Sequence, residues 1–184
     1  MNQPVLYIFS GLPGVGKSTL AQRLATKLGG VFIRIDTIEQ SLRDLCSWSV
    51  QGEGYQLAYR IAADNLSIGL SVVADSCNPI ELTRSEWEEV ARSHAAVPLN
   101  IEIICTDKAE HRLRVETRQP GVLGLRLPTW QEVKQRQYDE WTKDRIVIDT
   151  SGKTADEAFD QLYEALFLPH PHDQARLSGP RASR

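Results

Sequence analysis

Tyr7-Ile8-Phe9-Ser10-Gly11-Leu12-Pro13-Gly14-Val15-Gly16-Lys17-Ser18-Thr19 runs from an apolar strand pattern through a glycine-rich turn into a helix pattern, with the spacing G-x-x-x-x-G-K-S/T. A loop of this kind turns backbone N–H groups inward on phosphates, and the helix that follows adds its positive dipole end. Gly11, Pro13, Gly14, Val15, Gly16, Lys17, Ser18 and Thr19 are therefore the candidate cradle for a nucleotide. The Lys17 ammonium would reach the outer phosphates and Ser18 would ligate magnesium. Both flanks suit this reading. Val5 to Phe9 is a buried-strand run, and Lys17 to Leu28 puts Leu20, Leu24, Ala25 and Leu28 on one helical face before Gly29-Gly30 ends it. An ordinary glycine turn with a solvated lysine is disfavoured because motif and flanks agree.

Outward from the loop, short β-branched runs alternate with helical patterns, which argues for a parallel sheet covered by helices on both faces. The expected strands are Val5–Phe9, Val31–Ile35, Leu70–Ala74, Asn100–Cys105 and Arg145–Ile148. After Lys17–Leu28, helices are expected over Thr37–Ser47, Tyr55–Ser67, Ile80–His94, Lys108–Thr117, Thr129–Trp141 and Ala155–Leu166, with Thr129 and Glu132 forming a capping box. Gln119 to Leu127, with Pro120, Gly121 and Gly124, breaks both periods and is expected as a loop. The strands end near Ser10, Asp36, Asp75, Thr106 and Asp149, so polar groups gather at the carboxyl edge, where open α/β sheets hold their ligands.

The 184 residues suit a single domain, expected over 1–168, followed by a disordered tail over 169–184 rich in proline, histidine and arginine. Lysine and arginine number 21 against 24 acidic residues, a net charge of −3, which supplies no global attraction to nucleic acid. Cys46, Cys77 and Cys105 lack metal-ligand spacing and are expected as reduced, mostly buried thiols. No apolar run approaches the roughly 18 residues of a membrane span. Location in the cytoplasm is the expectation, as a monomer or homodimer without membrane contact.

Transfer of a phosphoryl group needs a residue that orients the acceptor hydroxyl and takes its proton, and Asp36, straight after the second strand, is the candidate. Its competing role is the N-cap of the next helix. Asp75 closes the run Ser71-Val72-Val73-Ala74 and is the candidate to hold magnesium directly or through water, with Ser76 and Asn78 following as polar contacts. Arg112, Arg114, Arg118 and Arg126 flank the irregular loop; Arg118 is the candidate for stabilising transferred charge and Arg114 for the nucleotide, whereas Arg112 and Arg114 also suit a solvated helix face. Gly152 lies in the loop after the last strand, beside the expected base position. Trp48 and Tyr55 are expected to pack rather than to meet substrate.

With Gly11 to Thr19, Asp36, and Val73-Ala74-Asp75-Ser76-Cys77-Asn78-Pro79, the chain resembles the AAA_33 group of small phosphate-loop kinases. These are zeta-toxin-like and polynucleotide-kinase-like ATP-binding proteins, related to gluconate and adenylylsulfate kinases. The resemblance implies a P-loop NTPase three-layer sandwich with five parallel strands, nucleotide-kinase-like, with a short lid. It also implies ATP and Mg2+ as cofactors, Asp36 as general base and Arg118 as lid arginine. One departure is plain: such kinases carry D-x-x-R after strand two, and this chain has Asp36-Thr37-Ile38-Glu39. A carboxylate at Glu39 would repel a polynucleotide phosphate, which points to a small, less anionic acceptor. The expected function is transfer of the γ-phosphate of ATP to a hydroxyl of a small molecule. A nucleic-acid 5′-hydroxyl kinase, or a nucleotide-binding switch without acceptor, are the alternatives.

Overall fold

The computed structural model describes residues 3–167; the tail expected over 169–184 lies outside them. The chain runs β1 (Val5–Ser10), α1 (Lys17–Leu28), β2 (Val31–Arg34), α2 (Ile35–Cys46), α3 (Glu53–Ser67), β3 (Val72–Asp75), α4 (Glu81–Ser93), β4 (Val97–Ile104), α5 (Lys108–Thr117), α6 (Trp130–Gln135), β5 (Ile146–Asp149) and α7 (Ala155–Phe167). The five strands pair in parallel in the order β2-β3-β1-β4-β5. Hydrophobic side chains alternate between the two faces of β1. Tyr7 and Phe9 pack with Leu20 and Leu24 of α1 and Leu162 of α7, while Leu6 and Ile8 pack with Ala58 and Leu66 of α3 and Trp87 of α4. This makes a three-layer α/β sandwich, as the alternating pattern implies.

Several elements depart from expectation: β4 starts three residues early, at Val97, and α3 two residues early, at Glu53. β3 begins two residues late because Gly69 leaves α3 in the left-handed region, and the strand then extends through Asp75. α2 begins at Ile35, so Asp36 sits in its first turn; the N-cap is Arg34, not Asp36. α6 stops at Gln135, although its Thr129–Glu132 capping box forms. The expected continuation to Trp141 is prevented by tertiary hydrogen bonds. Asp139 N–H donates to the Pro79 carbonyl, its carboxylate accepts from Glu81 N–H, and Arg84 donates to the carbonyls of Asp139 and Glu140.

Arg84 is fully buried among the rings of Trp141 (4.1 Å) and Tyr138 (5.0 Å). It also donates to the carbonyls of Asn78 (2.9 Å) and Pro79 (3.4 Å). A planar fork of donors spans these separate acceptors, whereas a lysine ammonium is a single point. Arg84→Lys is expected to lower stability by about 2–4 kcal/mol in urea denaturation, since buried carbonyls lose their partners. Leu123→Ser, at a side chain 94% exposed, is expected to stay within about 0.5 kcal/mol of wild type.

Candidate active site

The turn between β1 and α1 has positive φ at Gly11, Gly14 and Gly16, which glycine adopts without the strain a Cβ would bring. A side chain at Gly11 would overlap the carbonyl oxygen of Ile103 on β4, and one at Gly14 would meet Val115 of α5. His111, also on α5, is buried with its Nε2 2.8 Å from the Pro13 carbonyl and donates to it, and Thr150 donates its hydroxyl to the Val15 carbonyl at 2.9 Å. Gly11 N–H donates to the Cys77 carbonyl. The loop is thus held at its base and on its outer side.

Beside it opens a cavity of about 1030 Å³. Pro13, Gly14, Gly16, Lys17, Ser18 and Thr19 line it; Gly11 and Val15 are buried behind. Asp36, Arg118 and Arg114 line it as well, so the structure brings the loop lysine, the candidate base and the candidate lid arginine to one space. Arg114 spends its donors on the Thr150 hydroxyl (2.7 Å), the Thr150 carbonyl (2.9 Å) and Glu110, fastening α5 to the loop after β5. Gly152 is exposed and does not line the cavity, its N–H donated to Glu110, while Thr150, Lys153 and Thr154 do line it.

Asp75 is only 2% exposed, and its Oδ1 accepts from the Lys17 ammonium at 3.2 Å. Its Oδ2 lies 3.6 Å from Arg34 Nε, and neither of these two buried atoms has a hydrogen-bond partner. Burial pulls the Lys17 ammonium down, but Asp75, Cys77 and Asp36 outweigh it and hold the pKa above that of an ordinary lysine. The lysine therefore stays cationic at neutral pH. Asp36 is half exposed and 3.6 Å from Arg34.

Several expected contact residues lie outside the cavity or are engaged by protein partners. Ser76 and Asn78 are buried away from the cavity, and the Asn78 amide donates to the Phe9 carbonyl and Ser10 hydroxyl. Asp149 accepts from Thr106 and Ser151. Arg112 pairs with Glu116 at the surface, and Arg126, although at the cavity rim, pairs with Glu132. Tyr55 packs as expected and accepts from Asn78 N–H, but Trp48 is 56% exposed and outside the cavity. Of the cysteines only Cys105 is buried; Cys77 is intermediate and lines the cavity, and Cys46 is exposed. The sequence reading missed Arg34, Gln40, Arg43 and Arg136 as cavity residues. The available signal was Arg34 itself, a charge interrupting the apolar run Val31-Phe32-Ile33.

Residues 6–146 match the model of the family AAA_33, an AAA domain. The chain belongs to that family. No curated protein matches its sequence. Among solved structures it is similar to a candidate kinase from Chloroflexus aurantiacus, with TM-score 0.67 and 21% identity, covering 89% of this chain and 98% of that one. A Mycobacterium tuberculosis APS kinase in complex with AMPPNP and APS is similar at TM-score 0.61 and 16% identity, covering 90% and 99%. A gluconokinase from Sinorhizobium meliloti is similar at TM-score 0.59 and 15% identity, covering 91% and 98%. At these identities the likeness is one of fold, the nucleotide-kinase-like sandwich that the family resemblance implies.

Gly11→Ala is expected to destabilise the protein by about 2 kcal/mol or more and to weaken ATP binding at least tenfold, read by thermal melting and calorimetry. Gly52→Ala, with open space at its Cβ and outside the cavity lining, is expected to leave ATP binding unchanged and to cost at most about 1 kcal/mol as the N-cap of α3.

Proposed function

We propose that the protein is an ATP-dependent phosphotransferase that moves the γ-phosphate to a hydroxyl of a small molecule. The observation that carries this is the shared cavity of the phosphate loop and Asp36, a carboxylate that a purely nucleotide-binding loop does not need. The unit proposed is the kinase fold of residues 1–168, and the family match over 6–146 supports it. No helix among the described residues is long and apolar enough to cross a membrane.

ATP fits the loop by its length, its positive φ values and the cationic Lys17 at the cavity wall. Magnesium fits Ser18 with the orphaned Asp75 Oδ2, a hydroxyl and a carboxylate suited to a cation that keeps most of its waters. Among the described residues no three acidic, histidine or cysteine side chains converge on one point, so phosphate oxygens and water would complete its shell. The cation supplies charge neutralisation between the outer phosphates when bound.

In the reaction, the Asp36 carboxylate accepts the proton of the acceptor hydroxyl as its oxygen bonds to the γ-phosphorus. The bond from that phosphorus to the β–γ bridging oxygen breaks and ADP leaves with the electron pair. Lys17 holds the phosphates in line, and Arg118 closes on the equatorial oxygens, whose charge grows in the transition state. Burial lowers the Arg118 pKa, Asp36 and Cys77 act against that, and Arg34 and Arg136 add to it. A desolvated guanidinium flanked by two more is poised for an anion.

Lys17→Ala is expected to abolish transfer of labelled phosphate from ATP across a panel of hydroxyl metabolites. Asp36→Asn is expected to lower kcat about 10²–10⁴-fold while ATP affinity stays within about twofold. Asp36→Asn turning over like wild type would contradict the base role.

A further inference from the structure

The cavity is large enough for two small ligands, and its charge is one-sided. Eight lining side chains are arginine or lysine and two, Asp36 and Glu39, are carboxylates. The chain as a whole carries −3. The excess is therefore gathered in one place rather than spread over the surface.

The cations divide by position. Lys17, Arg114 and Lys153 stand where the loop and the turn after β5 meet. Arg34, Arg43 and Arg136 stand elsewhere. Arg34 ends β2, which is separated from the loop-bearing β1 by β3, so its backbone lies roughly 10 Å from that of β1. Arg43 is on α2 and Arg136 follows α6, with Glu39 and Arg118 close enough to feel the charge of Arg136. Of this group Arg34 lies 3.6 Å from Asp36, and Arg43 and Arg136 line the same cavity.

Glu39 does not oppose an anion there. Its Oε2 is paired with Arg43 at 3.1 Å, and its side chain lies half-buried against the bare Cα of Gly54. Burial pushes its carboxyl pKa up, against the pull of Arg43. The repulsion of phosphate expected of a free Glu39 is thus largely cancelled. Arg118 and Arg136, by contrast, have no carboxylate partner among the described residues, and the buried Nε atoms of Arg34 and Arg118 have no hydrogen-bond partner at all. Gly121 of the loop over the cavity approaches Arg34 with no side chain between them, so the loop encloses this corner.

We infer that the acceptor carries, besides its reacting hydroxyl, a carboxylate or phosphate that binds among Arg34, Arg43 and Arg136, with Arg136 as the specificity-determining contact. This rests on the kinase reading for the word acceptor, but the anion site itself does not depend on it. A small anion is favoured over an oligonucleotide because the cationic side chains line a cavity in a chain that is net acidic as a whole.

The test titrates inorganic phosphate by calorimetry into protein saturated with magnesium and a non-hydrolysable ATP analogue. One further phosphate is expected to bind, weakened at least fivefold by Arg136→Gln, with analogue affinity unchanged within twofold. Saturated protein that takes up no phosphate, or Arg136→Gln binding it like wild type, would overturn the site. Transfer assays then pair acceptors that differ only in the anion, glycerate against glycerol and a sugar phosphate against its sugar. The anionic members are expected to be used at least tenfold better in kcat/KM, and Arg136→Gln to raise their KM with little change in kcat. Equal use of both members would overturn the acceptor assignment. Phosphate binding as expected with no acceptor labelled would contradict the kinase reading and leave the anion site standing.

Discussion

The buried carboxylate of Asp75, held between Lys17 and Arg34, is the constraint on which the site depends. Three chain segments meet at it: the start of α1, the end of β3 and the end of β2. A buried charge left unpaired costs several kcal/mol, so these three segments cannot separate without exposing or neutralising it. The pair also presets the lysine. Its ammonium is kept charged and beside the loop before any nucleotide arrives, which reduces the ordering that binding must impose. The second oxygen, Oδ2, is buried without a hydrogen-bond partner, 3.6 Å from Arg34 Nε.

Around this centre the structure spends its polar side chains on bracing. Asn78 ties the turn after β3 to the last residues of β1, Arg84 ties that turn to residues 139–140, His111 ties α5 to the loop, and Thr150 ties the loop to the strand-five turn. Each is buried, and each satisfies a backbone carbonyl that irregular chain would otherwise leave bare. A rigid cradle and an irregular loop over residues 119–127 are thereby combined in one cavity wall. That combination suits chemistry that needs fixed phosphates and a cover able to admit an acceptor.

What was legible in the sequence was local or periodic. The phosphate loop is contiguous, so its residues name themselves, and the strand runs sort their side chains by a period of two. Asp36 lines the cavity because it lies two residues after the end of β2, in the first turn of α2. What was not legible depends on partners distant in sequence. Nothing local to residues 136–141 announces that Arg84, more than fifty residues earlier, takes their carbonyls and ends α6 early. Arg136, at the end of α6, lies far in sequence from Arg34 on β2 and Arg43 on α2, and only the fold shows them lining one cavity. The polar run Asp75 to Asn78 looked like a substrate-facing edge, but within it only Cys77 lines the cavity; Asp75 is buried against Lys17, and Asn78 against Phe9 and Ser10.

Phosphoryl transfer at this site requires the bound γ-phosphate and the Asp36 carboxylate to face each other. A crystal structure with magnesium and a non-hydrolysable ATP analogue measures this directly. The account predicts the phosphates within the 11–19 loop, Lys17 turned from Asp75 to the outer phosphates, and Asp36 facing the γ-phosphate across a gap that one hydroxyl fills with hydrogen bonds of about 2.6–3.2 Å. Phosphates bound elsewhere, or an Asp36 carboxylate turned away from the γ-phosphate, would contradict it.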